Sequence, residues 1–542
     1  EVRSRHLNVE EGAAADDLVV SGLIVGGSGL VKTGPGTLLL SSTANSYTGT
    51  TYVNAGTLKL GASGVISDNA DLANDSAGGG TVDLNGFDET VRRLGGNPTI
   101  TNTGASTATL TVGANNGSGW DYGGVITGDV AIRKIGTGWQ RLTHGSDYTS
   151  GTTVDGGVLY LRGANNGQST VGTGTLTINA GATVTAESHN VLGHTSRANI
   201  PHVIINGGTL IPYQYLHIAD VEMTGGVIEA GPAGGSGLQT HASVFTTHAS
   251  ADTANIHARV QVAMGDVTFD VADGTADPDL DVTGEVYGGN SIAKNGAGTM
   301  RLTGTNSYTG ATNVNAGTLM VDGSIAASGG VTVAANAILA GHGTVPDIRG
   351  AGLVSPGGSP GILTVQDSID GSAGLDFAFE FTQEDPDYGN AANSLNDVLR
   401  LTGSSPFNGI PLEADNSDPD NTVSIYFDLT SMNVGQGFRG GFYTDRSADF
   451  LNLIEGADFE FFVRGDGNGP VDFLGTSYYP LEDYLAVAGF TVSTVPAPFD
   501  FGAGLVPGYV MQLAAVPEPS ALALAGVGLL ALAGLMWRRR RK

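Results

Sequence analysis

The sequence predicts an all-β chain built as a β-solenoid. Three observations carry that expectation. One strand-and-turn phrase recurs three times, glycine makes up 85 of 542 residues with no collagen-like period, and residues 17–368 show no helical spacing of apolar positions. Internal repetition comes first in the reading, because a repeat decides the architecture before any single element does.

The clearest copy of the phrase runs Lys294, Gly296, Gly298, Thr299, Met300 and Leu302, then Asn306-Ser307-Tyr308-Thr309-Gly310, then Val314-Asn315-Ala316-Gly317-Thr318-Leu319. An earlier copy has Lys32, Gly34, Gly36, Thr37, Leu38 and Leu40, then Asn45-Ser46-Tyr47-Thr48-Gly49, then Val53-Asn54-Ala55-Gly56-Thr57-Leu58. A worn copy keeps Lys134, Gly136, Gly138 and Leu142, then Asp147-Tyr148-Thr149, then Val154-Asp155-Gly156-Gly157-Val158-Leu159. Thr-Leu-x-Leu alternates polar and apolar residues, the pattern of a strand with one buried face. The glycines stand between such runs, where the chain must turn sharply or take positive φ. Strands this short bury little alone, whereas stacked coils share one continuous core.

These residues carry a resemblance. Lys-x-Gly-x-Gly-Thr-Leu-x-Leu, Asn-x-Tyr-Thr-Gly-x-Thr and Val-x-x-Gly-Thr-Leu resemble the autotransporter-associated β-strand repeat of passenger domains, with copies near 29–61, 131–163 and 291–323. The resemblance implies a right-handed parallel β-helix displayed outside the cell. Gly343-Thr344-Val345 and Ser355 to Thr364 resemble the segment that closes such repeat regions. Further strands are expected at Thr107–Val112, Thr175–Ile178, Val203–Ile205, Val267–Val271 and Val331–Val333. Residues 185–258 are less regular, hold seven of the ten histidines, and are expected to form an insertion or lateral bulge.

Composition narrows the function. The net charge of −29 makes nucleic acid and anionic membrane poor partners. There is no cysteine, which excludes thiol catalysis, thiolate metal sites and disulfides. The chain opens at Glu1 without a signal-peptide pattern and reads as mid-solenoid by residue 18, so part of a longer or processed protein is expected to precede it.

Three segments follow from these shifts: a solenoid over 1–368, a β domain over 370–512, and a sorting tail over 513–542. The second holds 15 of the 18 phenylalanines, 22 acidic residues, four arginines and no lysine, which reads as a more conventionally packed domain with an acidic surface. A sandwich or a cap over the open solenoid end is expected there. In the tail, Val516-Pro517-Glu518-Pro519 precedes an apolar run from Ala521 to Trp537 and the cations Arg538, Arg539, Arg540, Arg541 and Lys542. The apolar run is just long enough for a single transmembrane helix, and the terminal cations belong on the cytoplasmic side. This tripartite tail resembles the PEP-CTERM sorting signal. The resemblance implies recognition by an exosortase-like membrane peptidase and cleavage near the Pro-Glu-Pro.

Candidate chemistry is thin. Three acidic clusters, Asp277–Asp281, Glu384–Asp387 and Asp415–Asp420, read as solvated loops, with weak Ca²⁺ binding through oxygen ligands as their alternative. The histidines 189, 194, 202, 217, 241, 248 and 257 lack a metal-ligand spacing and are expected on surfaces or turns. Arg464-Gly465-Asp466 matches a short adhesion tripeptide that also arises easily in a Gly- and Asp-rich chain. The recurring Tyr47, Tyr148 and Tyr308 read as packing residues, and Lys32, Lys134 and Lys294 as neutralising nearby carbonyls or acids.

The expectation is therefore an extracellular, cell-surface structural or adhesive protein of envelope or biofilm matrix, without catalysis or cofactor. Its expected partners are the exosortase-like peptidase, extracellular polysaccharide or matrix components, and the inner membrane of a Gram-negative-type bacterium through the C-terminal helix. Two alternatives stand against it. A β-helix polysaccharide lyase or hydrolase would need clustered Asp, Arg and His in a cleft. A self-secreting autotransporter would need a C-terminal membrane barrel, where this chain has a helix with a basic tail.

Overall fold

The computed structural model describes residues 5–375, apart from breaks at 76–78, 164–167, 195–196, 233–235, 358–360, 371–372 and 374, together with strand segments between 376 and 515. The sorting residues Val516–Pro519 and Arg538–Lys542, the clusters at 384–387 and 415–420, and Gly465-Asp466 lie outside the described residues. The chain divides into two compact units, Glu1–Thr318 and Leu319–Lys542. The change of composition near residue 370 lies inside the second unit.

The first unit is a parallel β-solenoid. A residue meets its neighbour one coil on: Leu38 pairs with Leu58, Ile132 with Thr152 and Ile292 with Thr312, a step of 20 residues each time. The step widens to 27 residues where Leu176 pairs with Val203. Apolar side chains alternate inward on these strands and form a continuous core. Leu38, Leu40, Leu58, Leu60, Val154, Leu161, Met300 and Leu302 are all fully enclosed. At about 25 cal/mol per Å² of apolar surface, it is this stacking that holds such short strands. The only described helices are two single 3₁₀ turns, Ala114–Asn116 and Arg197–Asn199.

Residues 185–258 correct one expectation. Among the described residues they form regular coils and no lateral bulge: Val203–Asn206, Val221–Thr224 and Val244–Thr247 stack in parallel register between Leu176–Asn179 and Val267–Val271. What disguised them is an added third face of Tyr215–Ile218, Gly237–Thr240, Arg259–Val262 and Val286–Gly288. A third strand per coil changes the spacing of the turns, so the two-strand phrase is no longer visible.

In the second unit, Val331–Val333, Ile348–Gly350 and Ile369–Asp370 pair in parallel. The Gly343–Thr364 segment does not close the ladder, because Ile362–Val365 pairs onward with Val398–Leu401 and that strand with Gly441–Thr444. Asp376–Glu380, Val423–Asp428 and Phe459–Arg464 continue in parallel. Antiparallel pairing then appears between Phe459–Arg464 and Thr476–Pro480 and between Phe490–Pro496 and Tyr509–Ala515. Among the described residues no helix is long and apolar enough to cross a membrane.

Candidate functional site

The three copies of the phrase build the same interior fitting. Lys294 is 1% exposed, and its Nζ donates to Asn295 O at 2.9 Å, Gly296 O at 2.9 Å and Ala316 O at 3.0 Å. Lys32 donates to Thr33 O, Gly34 O and Ala55 O, and Lys134 to Ile135 O, Gly136 O and Gly156 O. An ammonium has three donors and no acceptor, so three carbonyls satisfy it completely. Two carbonyls come from its own turn and the third from the turn of the next coil. The lysine thus binds Lys-x-Gly to the following x-Gly-Thr-Leu turn, which is why the two halves of the motif occur together.

The glycines belong to the same cradle. Gly56, Gly157 and Gly317 all take φ near +60° (62°, 64° and 61°). A Cβ on Gly56 would stand 2.7 Å from Lys32 Nζ, and one on Gly317 2.5 Å from Gly296 O. Burial pulls the Lys134 and Lys294 ammonium groups down to about 8 and lowers that of Lys32. The partners are carbonyls and not acids.

A second fitting joins Tyr to Thr four residues later. The hydroxyls of Tyr47 and Tyr308 meet Thr51 and Thr312 Oγ1 at 2.6 and 2.7 Å, and Tyr148 meets Thr152 likewise. All three rings are fully buried, in keeping with a packing role. The third fitting is the asparagine. Asn306 Oδ1 accepts from Val286 N–H at 2.8 Å and Asn45 Oδ1 from Ile24 N–H at 2.7 Å, each on the preceding coil. In the worn copy Ser146 occupies this position, and its Oγ accepts from Ile126 N–H at 3.1 Å. Sequence reasoning missed Ser146 because Ser and Asn share an acceptor but little shape.

The acidic and histidine expectations need correction at four residues, Asp279, Asp281, His217 and His241. Asp279 and Asp281 are 7% and 8% exposed and not solvated. Asp279 accepts from Gly274 and Thr299 N–H, each at 2.8 Å, while Asp281 pairs with Arg301 at 2.6 Å. Their oxygens already have protein partners. His217 and His241 are buried rather than on the surface, with His217 Nδ1 2.5 Å from His241 Nε2. The His194 ring lies 5.7 Å from that of His217. Burial, reinforced by the neighbouring imidazoles, lowers His217 to about 4. His241 is lowered by burial and then by the Arg197 charge. The pair is therefore neutral at pH 7 and hydrogen-bonded ring to ring. Among the described residues, no group of three or more His, Asp and Glu side chains is placed to hold a metal ion.

Among the described residues, large side chains gather at outward positions around Arg141. Arg141 lies between Trp139 and Tyr160, with Cζ 5.0 Å from each ring, and Arg93 lies 5.1 Å from the Trp120 ring. Arg141 is held by Glu187 at 2.9 and 3.2 Å and by Asp121 at 2.9 Å. Arg92 and Arg93 share Asp71, whose carboxyl burial pushes up but the two guanidinium bonds hold below the usual range. Nothing in single-sequence spacing linked these residues, since they come from six successive coils.

Comparison with known proteins agrees with this construction. The Passenger-associated-transport-repeat model matches residues 30–60, 132–161 and 292–321, the segments that carry the lysine cradle. The PEP-CTERM protein-sorting motif matches residues 515–541. A relative named Adhesin BmaC autotransporter, from Brucella suis biovar 1 (strain 1330), is 33% identical over 301 residues. That match covers 55% of this chain and 8% of the relative's own length. The chain therefore carries passenger-type transport repeats on a parallel β-solenoid, followed by a PEP-CTERM sorting motif.

Proposed function

We propose that this protein is a cell-surface structural or adhesive element whose solenoid is exported and sorted through its C-terminal tail. The observation that carries the reading is the conjunction of passenger-type repeats and a PEP-CTERM motif in one chain. The similarity to a protein named an adhesin supports it over the matched segment. The repeats supply rigidity: every lysine cradle, Tyr–Thr bond and Asn acceptor is spent inside the coil stack and leaves the outward positions free to vary.

In this reading Val516-Pro517-Glu518-Pro519 is the stretch an exosortase-like peptidase recognises, and Ala521–Trp537 is held in the inner membrane before processing. Arg538–Lys542 stay cytoplasmic and orient the chain. Residues 370–512 form the acidic β segment between solenoid and tail. The partners outside are polysaccharide or matrix components, and no catalytic step is assigned. Intact-mass analysis of surface and membrane fractions from the native cells tests the proposal. Surface material that ends near Pro517 supports it. Full-length protein confined to the inner membrane with Lys542 intact refutes it.

A further inference from the structure

We infer that the outward face formed by Trp120, Trp139, Arg141 and Tyr160 binds a sparsely acidic polysaccharide laid across successive coils. The inference rests on the surface-matrix reading above and gives that reading a site.

The second repeat keeps the interior lysine and tyrosine fittings of the other copies. It keeps Lys134, Tyr148, Thr152, Leu142 and Leu161 buried, as the other copies keep their equivalents. Its outward positions depart. Trp139 stands where the other copies have Thr37 and Thr299, and Tyr160 where they have Lys59 and Met320. Two bulky rings at positions that hold threonine, lysine or methionine in the other copies are not required by the interior of the coil. Trp120 and Trp139 are also two of only three tryptophans in the chain, and they lie on consecutive coils.

A buried polar residue supports the face from beneath. Gln140 replaces Leu38 and Met300 at an inward position and is 2% exposed. It accepts from Leu94 N–H and donates to Leu94 O and Trp120 O, all at 3.0 Å. An amide costs stability at a leucine position unless its bonds are made. Here they are made to the two preceding coils, and they fix the backbone that presents Trp120. Gly95 supplies the space, since a Cβ there would lie 2.4 Å from Trp120 Cδ2. Arg141 is clamped by Asp121 and Glu187 and cannot collapse onto other partners. The result is a preorganised row of partly exposed aromatic and guanidinium planes.

Chemistry and charge select the partner. Aromatic faces accept the C–H faces of sugar rings, and guanidinium groups bind hydroxyls and carboxylates. Four arginines (92, 93, 141 and 162) share three acids (71, 121 and 187), which leaves this face one positive charge in a chain of −29. A polyanion charged at every unit, such as single-stranded nucleic acid, is repelled by the rest of the molecule. A glycan with an occasional uronate gains at the arginines without that penalty.

The test is a tryptophan-fluorescence titration of the full chain with gellan oligosaccharides, dextran and single-stranded DNA. Gellan is expected to bind and perturb the emission, and Trp139→Ala and Tyr160→Ala each to weaken it about tenfold or more. Far-UV circular dichroism must stay unchanged in these variants. If either unfolds, Arg162→Gln, whose side chain is 55% exposed, replaces it and is expected to lower gellan affinity and its salt dependence. Equal affinity for dextran, binding to DNA in place of gellan, or unchanged affinity in the folded variants overturns the inference. Wild-type protein that adheres to cells without binding gellan refutes the inference and leaves the surface reading intact. Protein that binds gellan but never reaches the surface does the reverse.

Discussion

Replacing Lys294 by Met would test the lysine cradle, and the structure allows the magnitude to be worked out. The ammonium makes three bonds of 2.9–3.0 Å to carbonyls that are otherwise enclosed in a coil junction. Bonds to a charged donor are worth about 1.5 kcal/mol each, and an orphaned buried carbonyl costs at least about 1 kcal/mol. Methionine fits the stem's volume and relieves part of the ammonium's burial penalty, so the net loss is about 3 kcal/mol. In a solenoid that loss is local, because each coil contacts only its neighbours. Native-state hydrogen exchange is the assay. The amides of Gly298, Asn315 and Thr318, which bond to Val271 O, Lys294 O and Gly298 O, are expected to exchange about 100-fold faster. Amides near Leu30–Leu60 should not change. Arg133→Met, which breaks the exposed pair with Asp155, serves as the control and should cost less than about 1 kcal/mol. A local change under about threefold, or one spread evenly along the chain, would refute the cradle as the element that joins successive coils.

Further outcomes follow from the same geometry. With a folded value of about 8 against an ordinary 10.5, Lys294 is proton-poor relative to the unfolded chain between those limits. Wild-type stability should therefore rise from pH 8 to about pH 10, and less so in Lys294→Met, as measured by urea unfolding at each pH. Asn306→Ala leaves Val286 N–H without its acceptor and should cost about 2 kcal/mol, whereas Asn306→Ser should cost clearly less, since Ser146 performs the same task; thermal unfolding distinguishes them. His217 is depressed to about 4, so the neutral pair stabilises the fold above its ordinary value near 6.5 and loses that contribution as pH falls toward 4. His217→Phe should flatten acid unfolding in that window, and an unchanged profile would sink the assignment. Gly317→Ala places a methyl 2.5 Å from two carbonyls at positive φ and should cost more than about 2 kcal/mol by the same unfolding assay.

Much of the fold was legible because its period is local. Thr-Leu-x-Leu reveals a half-buried strand within five residues, and the Lys-x-Gly and Asn-x-Tyr spacings repeat the same construction three times. The carbonyl partners of the lysines were within reach of that reading. The Asn acceptor and the Tyr–Thr bond were not, since hydrogen-bond direction does not show in a pattern of residue types. The coils of 185–258 were hidden for a different reason. Their third strand, beginning at Tyr215–Ile218, lengthens the spacing between the strands that the repeat would have identified.

The sequence alone determined the solenoid, the sorting tail and the absence of thiol chemistry, since each is written in contiguous residues or in composition. Tertiary structure decided everything that depends on residues one coil apart. It buried His217 against His241, 24 positions on, and turned Asp279 and Asp281 from a loop cluster into bonded interior groups. It also gathered Trp120, Trp139, Arg141 and Tyr160 from three successive coils onto one face. The physical reason is the stacking itself. Parallel coils place residues about 20 positions apart within ~5 Å of each other, at steps that vary from 15 to 28 before Ile362, so no fixed spacing in the chain announces which side chains will meet.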